Sequence, residues 1–143
     1  MVEAYLNLGN IFYRRRGFRE KATEMYKQVL MIDPNHKMAH NNLGVLFMQQ
    51  GLLNQARNEL STALNQDPDY VDALYNMACL AAREKRPAQA LGYLTRAADI
   101  QPQAIHWAAE DQDLQSLKRL TEFRKLMAAS QSPSTTRTVT HEE

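Results

Sequence analysis

The stretch whose reading decides the fold is Ala39–Pro68, AHNNLGVLFMQQGLLNQARNELSTALNQDP. In its first half, Ala39, Leu43, Leu46 and Phe47 fall at i, i+4, i+7 and i+8, one stripe of a 3.6-residue helix. Gly51 follows, where a reversing chain needs a residue tolerant of positive φ. Asn54 is the expected cap of a second helix, whose Ala56, Leu60, Ala63 and Leu64 again form a single stripe. Asp67-Pro68 predicts the stop, because proline lacks an amide donor and holds the residue before it out of the α region. Two short helices with one apolar stripe each cannot close a core alone. They need neighbours of the same kind.

Working outward, the neighbours are present. Gly17, Gly51 and Lys85 are spaced by 34 residues, as are Ala22, Ala56 and Ala90, and Pro34, Pro68 and Pro102. A fixed period of this size is the mark of a repeat array in which each unit buries the next one's apolar edge. The period covers residues 2–103 in three copies, which predicts an all-α fold.

The copies resemble tetratricopeptide repeats, whose 34-residue period they share. The resemblance rests on the large-small pairs Leu8-Gly9, Leu43-Gly44 and Met77-Ala78, and on the aromatics Phe12 and Phe47, replaced by Ala81 in copy three. It rests also on Ala22, Ala56 and Ala90 early in each second helix, on Tyr26, Leu60 and Leu94 after them, and on Val29, Ala63 and Ala97. Departures are an extra residue around Arg14–Arg16, and Tyr5, His40 and Leu74 where the family often has Trp. The resemblance implies a right-handed α-solenoid of three helix-turn-helix repeats at 2–35, 36–69 and 70–103. C-terminal capping helices are expected over 104–129.

Composition agrees with a globular all-helical chain. Its 143 residues suffice for one domain, and 44% are hydrophobic. A net charge of +1 gives no global field to recruit nucleic acid or an anionic membrane. No apolar run approaches the roughly 20 residues a bilayer span needs, so no direct membrane insertion is expected. The single cysteine, Cys79, excludes an internal disulfide framework and is compatible with a cytoplasmic setting. Met1 directly precedes the first helix without a polar cap, so the chain is expected to be either a compact protein starting on its first repeat or a piece of a longer one.

Residues 104–129 lose the period but carry Ile105, Trp107, Leu114, Leu117, Leu120, Phe123, Leu126 and Met127 among balanced charges. Short helices near 104–110, 113–119 and 121–129 are expected, with Asp113 and Thr121 as caps. Apolar residues that cover the last repeat beneath a charged surface describe a lid; Trp107 as a partner anchor is the alternative. The Ser/Thr-rich tail at 130–143 is expected to be disordered.

Catalytic patterns are lacking. His36 and His40 lie four apart, as a metal pair would, but no third ligand accompanies them and no Glu gives the HExxH arrangement. Cys79 has no sequence-evident base, and the five glycines form no phosphate loop. No enzyme, cofactor or metal is expected. Arg14–Arg16 read as cations complementing the negative end of the first helix, with an acidic partner for Arg14 as the alternative.

The resemblance further implies a concave groove lined by the first helix of each repeat, holding an extended or helical peptide of a protein partner. Carried over residue by residue, the groove positions are Glu3, Leu6, Asn7, Asn10, Tyr13 and Arg14; Met38, Asn41, Asn42, Val45, Met48 and Gln49; and Asp72, Tyr75, Asn76, Cys79, Ala82 and Arg83. Asn7, Asn42 and Asn76 recur at one position and are expected either to form a ladder gripping a peptide backbone or to link adjacent helices. Met38 and Met48 add adaptable apolar contacts. The family's carboxylate clamp is not implied: Asn10 and Asn42 match it, but Leu6, Asp72 and Asn76 stand at its basic positions. The expected role is a non-catalytic interaction scaffold or adaptor. The alternatives are self-assembly through the first helix, or a fragment regulating an attached catalytic or membrane domain.

Overall fold

In a computed structural model of the chain, residues 1–15 and 17–129 are described. The tail expected to be disordered, and position 16, lie outside them. Helices account for the regular structure, and among the described residues no strand occurs. The chain divides into two compact units, Met1–Asn76 and a second beginning at Met77.

The first unit contains α1 (Val2–Tyr13), α2 (Arg19–Ile32), α3 (Lys37–Gln49) and α4 (Leu53–Gln66), and takes in the start of α5 (Val71–Arg83). Helix α1 packs on α2, α2 on α3, and α3 on α4. The stripes explain the pairing. Ala22, Tyr26 and Val29 of α2 meet Ala39, Leu43 and Leu46 of α3 in one buried cluster, with Tyr5, Leu6, Phe12, Tyr13 and Phe47 against its edge. Ala56, Leu60 and Ala63 of α4 are fully buried, whereas Phe47 and Leu64 of the expected stripes are only half-buried. Small residues set how closely the paired helices approach. A Cβ on Gly44 would lie 2.7 Å from Leu60 Cγ, and one on Gly9 would lie 2.8 Å from Tyr26 Cε1.

The turn chemistry follows the expected mechanism. Gly17 and Gly51 have φ of 85° and 79°. After Gly51 the Leu52 amide donates to the Phe47 carbonyl at 2.9 Å, the closing bond of a helix C-terminus. Asp33 and Asp67 end α2 and α4 outside the helical region, with φ of −132° and −146°, each before a proline. Each aspartate also accepts from the amide two residues on, Asn35 or Asp69, tightening the loop. One expectation is corrected: Leu52, not Asn54, precedes α4, and no side chain caps it. With the turn closed by the Gly51 geometry, α4 starts two residues earlier.

The second unit holds the rest of α5, α6 (Pro87–Ile100), α7 (Ala104–Glu110), a 3-10 helix (Gln112–Arg119) and a helix at 121–129. Its α5–α6 turn repeats the Gly51 geometry with Lys85 at φ 62° and the Arg86 amide donating to the Ala81 carbonyl at 2.9 Å. A lysine in this left-handed region is strained by about 1 kcal/mol relative to glycine. Helix α7 packs on α6, and the 3-10 helix on both. Ala90, Leu94 and Ala97 are fully buried, as are Ile105, Ala108, Leu114 and Leu117. The short helix expected near 113–119 is a 3-10 helix, Gln112–Arg119. Its cap is Asp111, which accepts from the Asp113 amide at 2.9 Å, rather than Asp113. A spacing of three along Leu114 and Leu117 matches the three-residue turn of that helix and keeps both on one side.

Candidate functional site

Five side chains join α1, α2, α3 and α5 through one polar chain. The Tyr26 hydroxyl, fully buried, donates to Asn10 Oδ1 at 2.6 Å. Asn42 Nδ2 donates to both the Tyr26 oxygen, at 3.1 Å, and Asn10 Oδ1, at 3.2 Å. Asn41 Nδ2 donates to Asn42 Oδ1 at 3.2 Å, and Asn76 Nδ2 to Asn41 Oδ1 at 3.0 Å. Burial pushes the Tyr26 phenol up to about 12, although the Asn42 bond pulls the other way. Such amides suit the role because each donates and accepts. Their bonds change the reading of the asparagine ladder: Asn42 and Asn76 bind neighbouring helices, while Asn7 is exposed and outside the chain of bonds.

What α1 and α3 leave open is a pair of depressions sharing Arg14. One is lined by Asn7, Asn10, Ile11 and Arg14. The other, about 270 Å³, is lined by Tyr13, Arg14, Arg15, Gly17, Arg19, Leu46 and Gln49. Met38 is 39% exposed, Val45 is half-buried, and Glu3, Gln49 and Asp72 are exposed. Leu6 and Tyr13 lean on the core cluster and show one side each. Tyr75 and Asn76 are half-buried. Burial, then the charge of Asp72, raises the Tyr13 phenol above its ordinary range. Two expected groove residues are nearly covered. Met48 and Asn41 are 5% and 4% exposed, so neither offers a partner much surface. Ile11, Arg15 and Arg19 line the depressions without having been expected there. Arg19 carried a legible signal, a cation in the first turn of α2, where the helix dipole disfavours it.

In the second unit, Arg83 Nε and Nη2 donate to the two Asp113 carboxylate oxygens at 3.1 and 3.2 Å, so this expected groove cation serves an internal pair. Cys79 is buried and its thiol lies 3.7 Å from Asp111 Oδ2, while Ala82 is half-buried. Burial and the neighbouring Asp111 push the Cys79 thiol far up, leaving it protonated and a poor nucleophile. Cys79, Asp111 and Asp113 bring three potential ligand atoms within 4.8 Å of one another. A metal there would have to displace Arg83 from Asp113 and deprotonate the raised thiol. Of the two spaced histidines, His36 Nδ1 accepts from the Ala39 amide, and His40 faces Glu59 Oε1 at 2.7 Å and the Pro34 carbonyl at 2.8 Å. Trp107 is 39% exposed on α7. Among the described residues, no helix is long and apolar enough to cross a membrane.

Comparison with known proteins agrees with this architecture. Residues 17–79 match the sequence profile of the tetratricopeptide repeat. Over 102 residues, 71% of this chain, it is 28% identical to the human (Homo sapiens) protein O-mannosyl-transferase TMTC3, and it spans only 11% of that protein's length. The crystal structure of MamA superposes with a TM-score of 0.73 at 20% identity, over 96% of this chain and 80% of MamA. The first tetratricopeptide domain of Spaghetti (RPAP3), bound to the HSP90 peptide SRMEEVD, superposes with a TM-score of 0.67 at 15% identity, over 92% of this chain and 94% of that one. Repeats of this kind generally act as non-catalytic scaffolds for protein–protein interaction. With a repeat period of 34, paired helices turned at Gly17, Gly51 and Lys85, and neighbours of the same helical architecture, the chain shares the fold of tetratricopeptide-repeat proteins and carries that repeat's sequence profile over residues 17–79.

Proposed function

We propose that the chain is a non-catalytic protein-interaction module, with repeats at 2–35, 36–69 and 70–103 and a capping segment at 104–129. In this reading a partner's extended or helical peptide lies along the open faces of α1 and α3, with no nucleic acid or bilayer involved. The observation that carries it is the pair of depressions meeting at Arg14, bordered by the polar groups of Asn7, Asn10 and Gln49 and set on a scaffold of bonded amides. The polar chain makes the face rigid, which lowers the ordering cost of binding. A cytoplasmic setting goes with this reading, since Cys79 is a free thiol.

Replacing Asn42 or Asn76 would disturb the scaffold along with the face. The informative variant is therefore Asn7→Ala/Met38→Ala/Gln49→Ala, which removes exposed groups. A random peptide library displayed on phage, selected on the immobilised chain, supplies the ligand, and fluorescence anisotropy measures its affinity. The triple variant is expected to bind at least tenfold more weakly with an unchanged melting temperature. Equal affinity, or no selected peptide, refutes the proposal.

A second reading, self-association through α1, has one observation in its favour. Leu8 and Ile11 are 42% and 49% exposed, whereas their repeat equivalents Leu43 and Leu46 are 2% and 1% exposed. Sedimentation across a concentration series tests it: a dimer abolished by Leu8→Glu/Ile11→Glu supports it, and a monomer throughout rejects it.

A further inference from the structure

The depression between the end of α1, the α1–α2 turn and α3 has a composition unlike that of an ordinary solvated helix end. Three arginines, Arg14, Arg15 and Arg19, line one cavity of about 270 Å³. None of the three forms an ion pair with a described carboxylate, although the chain carries 16 acidic residues to its 17 lysines and arginines. Arg14 and Arg15 follow α1, where its dipole welcomes a cation; Arg19 begins α2, where the dipole opposes one. Favourable helix electrostatics therefore accounts for two of the three and not for their convergence. The remaining lining is the half-buried Tyr13, the turn residue Gly17, the buried Leu46 and the exposed Gln49, whose side chain supplies both an amide donor and an acceptor.

We propose that this cavity binds the phosphoryl group of a phosphorylated side chain on a peptide partner, with Arg14, Arg15 and Arg19 as its ligands. A guanidinium presents planar, paired donors that match phosphoryl oxygens. A phosphomonoester carries close to two negative charges at neutral pH, which suits three cations better than a single carboxylate does. The site deepens the proposed peptide-binding role, because Arg14 also borders the neighbouring depression that contains Asn7 and Asn10. Recognition would then combine an anion anchor at one end with polar contacts along α1.

The test is an NMR titration of the ¹⁵N-labelled chain with inorganic phosphate, N-acetyl-phosphoserine amide, acetate and chloride, all at constant ionic strength. Saturable shifts confined to Tyr13, Arg14, Arg15, Gly17, Arg19 and Gln49 are expected with both phosphate compounds. The phosphoserine compound should bind at least as tightly as inorganic phosphate, and acetate at least tenfold more weakly. Arg14→Gln/Arg19→Gln, two exposed positions, should weaken phosphate binding at least tenfold without moving the melting temperature. Four results overturn the proposal: non-saturating shifts, chloride reproducing the phosphate response, acetate equalling phosphate, or the double variant binding normally. Tighter binding of inorganic phosphate than of the phosphoserine compound would overturn the peptide source. No peptide ligand is needed, so failure here is distinct from failure of the peptide-binding reading, which unphosphorylated selected peptides test separately.

Discussion

Gly44→Ala tests the packing logic most directly, because two effects of known sign oppose each other there. In an exposed helix this change is favourable by about 1 kcal/mol, since alanine is the better helix former. In this chain the new Cβ would lie 2.7 Å from Leu60 Cγ, 2.9 Å from Leu60 Cδ2 and 3.3 Å from the Ala56 carbonyl oxygen. Carbon atoms prefer about 3.5–4.0 Å, so Leu60 or one of the two helices must retreat by roughly 1 Å. Leu60 is fully buried, and its Cγ is the branch point rather than the free end of the side chain. Overpacking of this kind costs about 1–3 kcal/mol. The net expectation is a loss of up to about 2 kcal/mol in place of a gain. Leu60→Ala alone should cost about 2–5 kcal/mol as a truncated core residue. In the Leu60→Ala background both Leu60 contacts are gone and only the 3.3 Å approach to the Ala56 carbonyl oxygen remains, so Gly44→Ala should stabilise by up to about 1 kcal/mol. Urea denaturation of the four proteins, followed by circular dichroism, gives the coupling energy, expected at about 1–3 kcal/mol. Equal stabilisation by Gly44→Ala in both backgrounds would show that α3 and α4 are not held at this distance by Leu60, and would refute the argument.

The strained turn gives a matched pair: Lys85→Gly should stabilise by about 1 kcal/mol and Gly51→Ala should destabilise by about as much, because both positions have positive φ. Denaturation midpoints that move together rather than in opposite directions would contradict this. The Lys37 ammonium, hydrogen-bonded to Asp67, holds that carboxyl below the ordinary aspartate range. A folded-state value below the unfolded one stabilises above the unfolded pKa, and that contribution is lost as pH falls through the folded one. In a ¹³C NMR titration Asp67 should therefore ionise at lower pH than in Lys37→Ala, and an unchanged titration curve would remove the pair from the account of acid stability.

The sequence by itself determined the all-α class and the helical repeat. Stripes such as Ala39, Leu43 and Leu46 report which residues share a helix face. The Gly17, Gly51 and Asp-Pro signals report where the backbone must turn or stop, because φ limits and missing donors act within a few residues. Caps were less legible, since several side chains within one turn can satisfy the same amides; hence Leu52 in place of Asn54, and Asp111 in place of Asp113. The site was legible only in outline. Periodicity placed Asn42, Asn76, Met48 and Arg83 on helices, but an asparagine amide bonds a peptide or a neighbouring helix with equal ease. Only the tertiary structure decided that Asn42 meets Tyr26 and Asn10, that Met48 is buried, and that Arg83 meets Asp113. It also brought Arg14, Arg15 and Arg19 around one cavity across a turn. Local geometry follows from neighbours in the chain, whereas the partner of a polar side chain follows from which helices come together, and no period in the sequence encodes that distance.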